Sequence, residues 1–293
     1  MPKPGKSARH GIPFCLAVSL CILQVTGTST FAGALNPDPA RLKPRTLNAF
    51  ERYVRLTDEH NAEELNRGEV FLRPDALPEK ERSAAYAALR RGEVRIERLE
   101  TRDAGKVIEC PGGLIHHWSG AVFIPGATGD ETLRVLEDYD HHAEIYAPDV
   151  QRARVLSHQG GEFHVFMRFR RKKVITVVLN TEHDAHYSRM DPTHALSRST
   201  ATRIAEVENP GESDEREKAP GDDGGYLWRM ETWWRLAERD GGTYVQCEAV
   251  SLTRDIPAGL GWLVGPFVHS IPRESLTFTL TATRKAVENL RKK

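Results

Sequence analysis

Apolar positions along the chain change period twice. From Thr46, the residues Leu47, Phe50, Val54 and Leu65 recur at helical spacing with charges between them, the pattern of a helix with one buried stripe. "LPEKERSAAYAALRRGE" predicts a second helix, with acids at its front, Arg90 and Arg91 near its end and Gly92 to stop it. Two short helices make little core alone, so residues 45 to 92 are expected to pack on the rest of the protein. From Glu93 the period falls to two. "EVRIERLET" alternates, and "GGLIHHWSGAVFIPG" predicts a long strand that ends at Pro125 and Gly126. "TGDETLRVLEDYDHHAEIY" predicts a helix with Thr128 and Glu131 spaced as a capping box, barred from continuing by Pro148.

"RARVLS", "EFHVFMRF", "VITVVLNTEH" and "ALSRSTATRIAEV" follow, with short turns between the first three. An acidic stretch rich in Pro and Gly, residues 209 to 225, predicts a long disordered loop. "YLWRMETWWRLAE" then alternates, placing Tyr226, Trp228, Met230, Thr232, Trp234 and Leu236 on one face, and "DGG" at 240 to 242 predicts a hairpin turn into "TYVQCEAVSLTRD". The tail is ambiguous. "SLTFTLTAT" alternates like a strand, yet Leu276, Leu280, Thr283, Val287 and Leu290 share one helical face and "TRKAVENLRKK" favours helix.

A resemblance decides the tail in favour of helix. "VFIPGATGDETLRVLEDYDHHAEIYAPDVQRARVLS" and "GPFVHSIPRESLTFTLTATRKAVE" resemble the opening and the C-terminal gripping helix of the START-like, or helix-grip, superfamily. The first stretch carries Pro125, Asp138 with Tyr139, Pro148 and Val150 to Leu156 where members of that group commonly have a strand end, an acidic-aromatic pair, a proline and the next strand. The resemblance covers about residues 113 to 290. It implies an α+β fold, with an antiparallel sheet of about seven strands wrapped on a long C-terminal helix over 272 to 290. The helical pair is not a standard part of that family. The expected organisation is therefore a leader and helical pair over 35 to 92 and a START-like domain over 93 to 293. The resemblance implies a hydrophobic small molecule or lipid as the partner, or a cyclase- or aromatase-type reaction in the same pocket; a filled core with a structural or partner-binding role is the third reading.

Composition adds an address. The 293 residues carry 41 basic and 41 acidic side chains, a balance that gives no reason to expect nucleic acid. Lys3, Lys6 and Arg9 precede the apolar run "IPFCLAVSLCILQV" and the small residues of "FAGA", the layout of a secretory signal peptide over residues 1 to 34, cleaved after Ala34. A monomer in the periplasm or outside the cell is expected. An oxidising compartment would allow Cys110 and Cys247 to pair, or they are two separate small hydrophobes in strands.

Catalytic chemistry is weakly signalled. The 12 histidines include His116 and His117, which point to opposite faces of a strand, and His141 and His142, placed where a helix C-terminus favours imidazolium. No cluster has zinc-site spacing, no Gly-x-Ser-x-Gly occurs, and no cofactor or metal is expected. A cyclase-type reading would need a buried polar pair such as His117 with Glu248. The candidate ligand-lining residues are Trp118 and Phe123 on the first long strand, Phe163, Val165 and Met167 on one face of another, Arg203, and Trp228, Met230 and Trp234 on a third. Trp262 and Phe267 in "PAGLGWLVGPFVHSIP" complete the set as an apolar lid or a transient contact with a membrane surface. "RFRRKK", Arg168 to Lys173, reads as a solvated turn or a contact for anionic headgroups.

Overall fold

The computed structural model describes residues 40–172, 176–256 and 261–292, with the backbone alone over 261–269. The segment expected as a signal peptide lies outside the described residues. The N-terminal pair is α1 (Pro44–Arg67) and α2 (Glu79–Arg90). Pro44 opens α1, and Gly68 closes it in the left-handed conformation at φ 70°, its N–H bonded to the Leu65 carbonyl at 3.1 Å. The strands are β1 (Arg95–Arg98), β2 (Gly113–Pro125), β3 (Val150–Gln159), β4 (Glu162–Lys172), β5 (Thr176–Arg189), β6 (His194–Glu208), β7 (Arg229–Arg239) and β8 (Gly242–Arg254). Helices α3 (Gly129–Glu137) and α4 (His142–Ile145) separate β2 from β3, and α5 (Gly261–Leu290) ends the chain.

The strands form one antiparallel sheet in the order β1-β2-β8-β7-β6-β5-β4-β3, with the two-residue strand Arg216–Glu217 added on β6. This is the helix-grip arrangement that the order of elements predicts, with more strands than the expected seven. Directly opposed residues share a face. The chain of pairs Val122–Val245, Val245–Leu236 and Leu236–Ala195 therefore defines an inner face. Leu276, Leu280 and Val287 of α5 pack on one end of that face, and Leu133 and Leu136 of α3 on the other. The helical pair covers the outer face. Leu72, Tyr86 and Leu89 pack on Phe123, Ala237 and Tyr244, while Phe50, Tyr53 and Val54 pack on Trp233, Val250 and Leu252.

One glycine sets how closely α5 approaches. A β-carbon on Gly120 would lie 2.5 Å from the Ile96 Cδ1 and 2.6 Å from the Leu280 Cδ1, distances that no packed core tolerates. Gly120→Val is expected to destabilise the fold by about 1–3 kcal/mol through overpacking. Thermal unfolding checks this, and an unchanged Tm would contradict the close seating of α5 on β2.

Four expectations change, and the open alternative for the cysteines is decided. The helix after β2 is not continuous: α3 stops at Glu137, Asp138 leaves helical geometry at ψ 60°, and a 3-10 turn over Tyr139–His141 leads into α4. The capping box that starts α3 is present, with Thr128 Oγ1 accepting from the Glu131 N–H at 3.2 Å and Glu131 Oε2 accepting from the Thr128 N–H at 2.9 Å. The C-terminal helix begins at Gly261 rather than 272, so the backbone from 261 to 272, expected within a lid loop, is helical.

Residues 209 to 225 are not a disordered loop. Glu215 grips Arg168 in a two-pronged ion pair, both contacts at 2.9 Å, and Glu217 accepts from Asn180 at 2.7 Å. Asp222 and Asp223 pair with Ala40 and Arg41 as a small ribbon. For the same reason the basic run is not a free tip: Arg168 is buried under Glu215, and Arg171 is held by Asp149 and Glu274. The cysteines do not pair. Cys247 sits in the inner-face core, and Cys110 packs among the outer-face residues near Phe50. Burial raises both thiols above their ordinary pKa, that of Cys110 to about 11. Among the described residues no helix is long and apolar enough to cross a membrane.

Candidate functional site

The inner face is apolar, yet its middle is incompletely covered. Val122, Ile124, Val165 and Val245 are fully buried where α3 or α5 meets the sheet. Trp118, Met167, Phe169, Met230 and Trp234 keep part of their surface exposed while lying on the same side. Their neighbours across the strands, Ala249 beside Trp118 and Ser197 and Cys247 beside Trp234, are small. A finished core would bury such large apolar groups, so this face is incompletely covered.

Few polar groups lie against this face. Tyr146 meets Thr283 of α5 at 2.9 Å, Tyr139 meets Tyr187 at 2.8 Å, and Tyr187 donates to the Leu136 carbonyl at 3.1 Å. His183 on β5 is 2% exposed and contacts Thr181 Oγ1 at 2.9 Å. Burial pushes its pKa down to about 4, so the ring is neutral. His142, packed between Tyr139 and Tyr146, is likewise driven by burial to about 4 and donates from Nε2 to the Val135 carbonyl at 3.3 Å. The helix-dipole expectation for His142 is therefore corrected: desolvation outweighs the dipole. The exposed His141 is the one that gains charge, through its bond to Asp138 at 2.7 Å.

Between α3, the β3–β4 turn and the end of β5 lies a cleft of about 430 Å³. Leu133 and Tyr187 form part of its wall and belong to the inner apolar cluster, while Asp130, Arg134, Glu137 and Arg189 line its rim. Asp130 and Arg189 are ion-paired across it. Burial raises the Glu137 carboxyl above its ordinary range, against the pull of Arg189 and His158.

The expected lining residues divide between the two faces. Trp118, Phe163, Val165, Met167, Met230 and Trp234 are brought together inside. Phe123 is not with them: it packs outward against Leu72, Tyr86 and Leu89. Its separation from Trp118 is odd, and odd separations on a strand put side chains on opposite faces. Trp228 also packs outward, with Phe50 and Tyr53. It precedes the first residue of β7, and its indole N–H donates to Asp223 at 3.0 Å, so the alternation that holds from Met230 does not reach it. Arg203 is tied to Glu217 on the surface rather than turned inward. The side chains of Trp262 and Phe267 lie outside the described residues.

His117 and Glu248 do form the buried hydrogen-bonded pair that a cyclase-type reading would want, with His117 Nε2 and Glu248 Oε1 2.8 Å apart and the residues 4% and 2% exposed. They form it on the outer face, beneath α1. Tyr53 occupies the other ring nitrogen at 3.0 Å and accepts from the Thr101 N–H at 2.7 Å. Burial alone would raise the Glu248 carboxyl, but the His117 bond and the charges of Arg235 and Arg73 hold it below its usual range. No substrate reaches a pair so enclosed, and its geometry is that of a fastener for the helical pair. Sequence reading missed His183, Thr181 and Tyr187; the strand alternation that groups Phe163, Val165 and Met167 would have grouped His183, Ala185 and Tyr187 opposite them.

No protein-family model matches the chain, and no curated protein matches it in sequence. Several solved structures are similar to part of it. The STAR-related lipid transfer protein from Xanthomonas axonopodis, fragment 25–204, is 17% identical over 66% of this chain and 98% of that one, with a TM-score of 0.42. Zhui aromatase/cyclase from Streptomyces sp. R1128 is 17% identical over 60% and 94%, at 0.37. Human STARD10 is 9% identical over 74% and 84%, at 0.41. At such identities no residue is matched to a residue.

Proposed function

We propose that this protein binds, and carries, a hydrophobic small molecule or lipid between the inner sheet face and α5. The observation that supports the reading is the partial exposure of Trp118, Met167, Phe169, Met230 and Trp234 on an otherwise buried face. A ligand that covers them gains about 25 cal/mol for each Å² of apolar surface removed from water. The cleft beside α3, at about 430 Å³, falls in the size range of small-molecule sites and gives the ligand a polar-rimmed way in. Its charged rim suits the polar end of an amphipathic molecule. The signal-like sequence over residues 1 to 34 supports placing this activity in the cell envelope.

Titration with the fluorescent apolar probe N-phenyl-1-naphthylamine tests the reading. Saturable uptake at one probe per chain is expected, with about tenfold weaker binding in Trp234→Ala, the loss of one large aromatic contact. Absence of saturable uptake by the wild-type chain would sink the proposal.

A further inference from the structure

A second cavity, of about 210 Å³, lies where the C-terminal half of α1 meets β5, β6 and β7. Leu65, Leu196 and Trp233 give it apolar walls, and Asn61, Arg198 and Arg235 bring polar groups to it. Leu196 is paired with Arg235 and Arg198 with Trp233 across the strands, which puts these walls on the outer face. Leu65, Leu196 and Ser188 are half-buried and His186 at the edge is exposed, so the cavity is open to solvent on that side.

Most of its polar groups are already engaged. Arg198 donates from Nε and Nη2 to the Asp58 carboxylate, both at 2.9 Å, and from Nη1 to Glu231 at 2.7 Å. The Trp233 indole N–H donates to Asp58 at 2.8 Å. Asn61 is the exception. A guanidinium can only donate, so the Asn61 atom 2.6 Å from Arg235 Nη2 is the amide oxygen, and the NH2 group is the other arm. That nitrogen is buried and has no partner among the described residues, while Asn61 itself is 6% exposed and borders the cavity. Ser197 Oγ is unpartnered as well, but Ser197 is paired with Tyr187 and Trp234 and shares their inner face.

A buried donor without an acceptor is costly unless something supplies one. We propose that this cavity binds a small neutral molecule, an apolar body with a carbonyl-type oxygen that accepts from Asn61 Nδ2. Neutrality follows from the local charges. Arg198 and Arg235 face three carboxylates, Asp58, Glu231 and Glu64, and leave no positive charge over for an anion. Size follows from the volume, which is below the roughly 300 Å³ at which drug-sized sites begin and limits the apolar body to about one ring. The site goes beyond the proposed inner-face ligand and does not rest on it.

Cyclohexanone and methylenecyclohexane have nearly the same shape, and only the first carries an acceptor. The ratio of their affinities, ketone over alkene, is expected to fall about fivefold in Asn61→Asp, the worth of one neutral hydrogen bond. That variant keeps an oxygen for Arg235 and removes both amide protons. A second readout needs no variant. In protein labelled with nitrogen-15 at asparagine, the side-chain amide protons of Asn61 should move downfield with cyclohexanone and stay in place with methylenecyclohexane. N-phenyl-1-naphthylamine held on the inner face should remain bound throughout. An unchanged ratio with unmoved Asn61 resonances would overturn the proposal, and so would displacement of the naphthylamine by cyclohexanone or failure of both small probes to bind. The inner-face reading stands or falls by its own titration in each case.

Discussion

Arg235→Met is expected to cost about 3–5 kcal/mol of stability, the price of breaking a buried ion pair by removing one partner. The Arg235 side chain is 3% exposed. It lies on the outer face of β7 and joins three parts of the N-terminal segment at once, donating to Glu64 at 3.2 Å, to Asn61 at 2.6 Å and to the Phe71 carbonyl at 3.0 Å. Methionine fills similar volume but leaves Asn61 and a carbonyl without their donor in a dry interface, and Glu64 with only Arg73 and His60 beside it. Urea unfolding measures the loss, and limited proteolysis should show α1 cut first. A loss under about 1 kcal/mol would mean that apolar packing alone seats the helical pair, since that is the scale of an exposed pair.

Acid should weaken the fold well before the carboxylates titrate. His142 and His183 have their pKa lowered from 6.5 to about 4 by burial. Each is neutral in the folded state and takes a proton more readily when unfolded. Their contribution is complete above pH 6.5 and is lost as pH falls from there to about 4. At about 1.36 kcal/mol per unit, each ring contributes on the order of 3 kcal/mol across that window. Carboxyls such as Glu137 and Glu231, raised by burial, act in the opposite sense, so a variant isolates the histidines. Urea midpoints at pH 7 and pH 5 should differ clearly in the wild type and less in His142→Phe, whose ring still fits between Tyr139 and Tyr146. A variant with the wild-type pH slope would contradict the neutral burial of His142.

The fold was legible because its signals are local and agree with one another. The bounds of β2 follow from glycine at one end and proline at the other, and the Thr128–Glu131 capping box marks α3 from two residues. The residues that escaped are those whose role depends on a distant partner. Tyr53, Thr57 and Asn61 extend the buried stripe of α1 although they are polar, because Thr101 after β1, and Arg235 and His117 on the sheet, meet them. The acidic stretch at 209 to 225 looks like solvated loop until Arg168 and Asn180 are brought beside it. Trp228 was misplaced because alternation says nothing about where a strand begins. The incomplete cover of the inner face could not be read from composition, since Met and Trp fill cores and line cavities alike.

The central claim is that a hydrophobic molecule occupies the space between sheet and α5. Native and denaturing mass spectrometry of the chain, expressed for export and purified without detergent, tests this most directly. The account predicts an added mass in one-to-one ratio that denaturation removes, belonging to an apolar molecule. A bare protein mass that stays bare after incubation with a total lipid extract would contradict it.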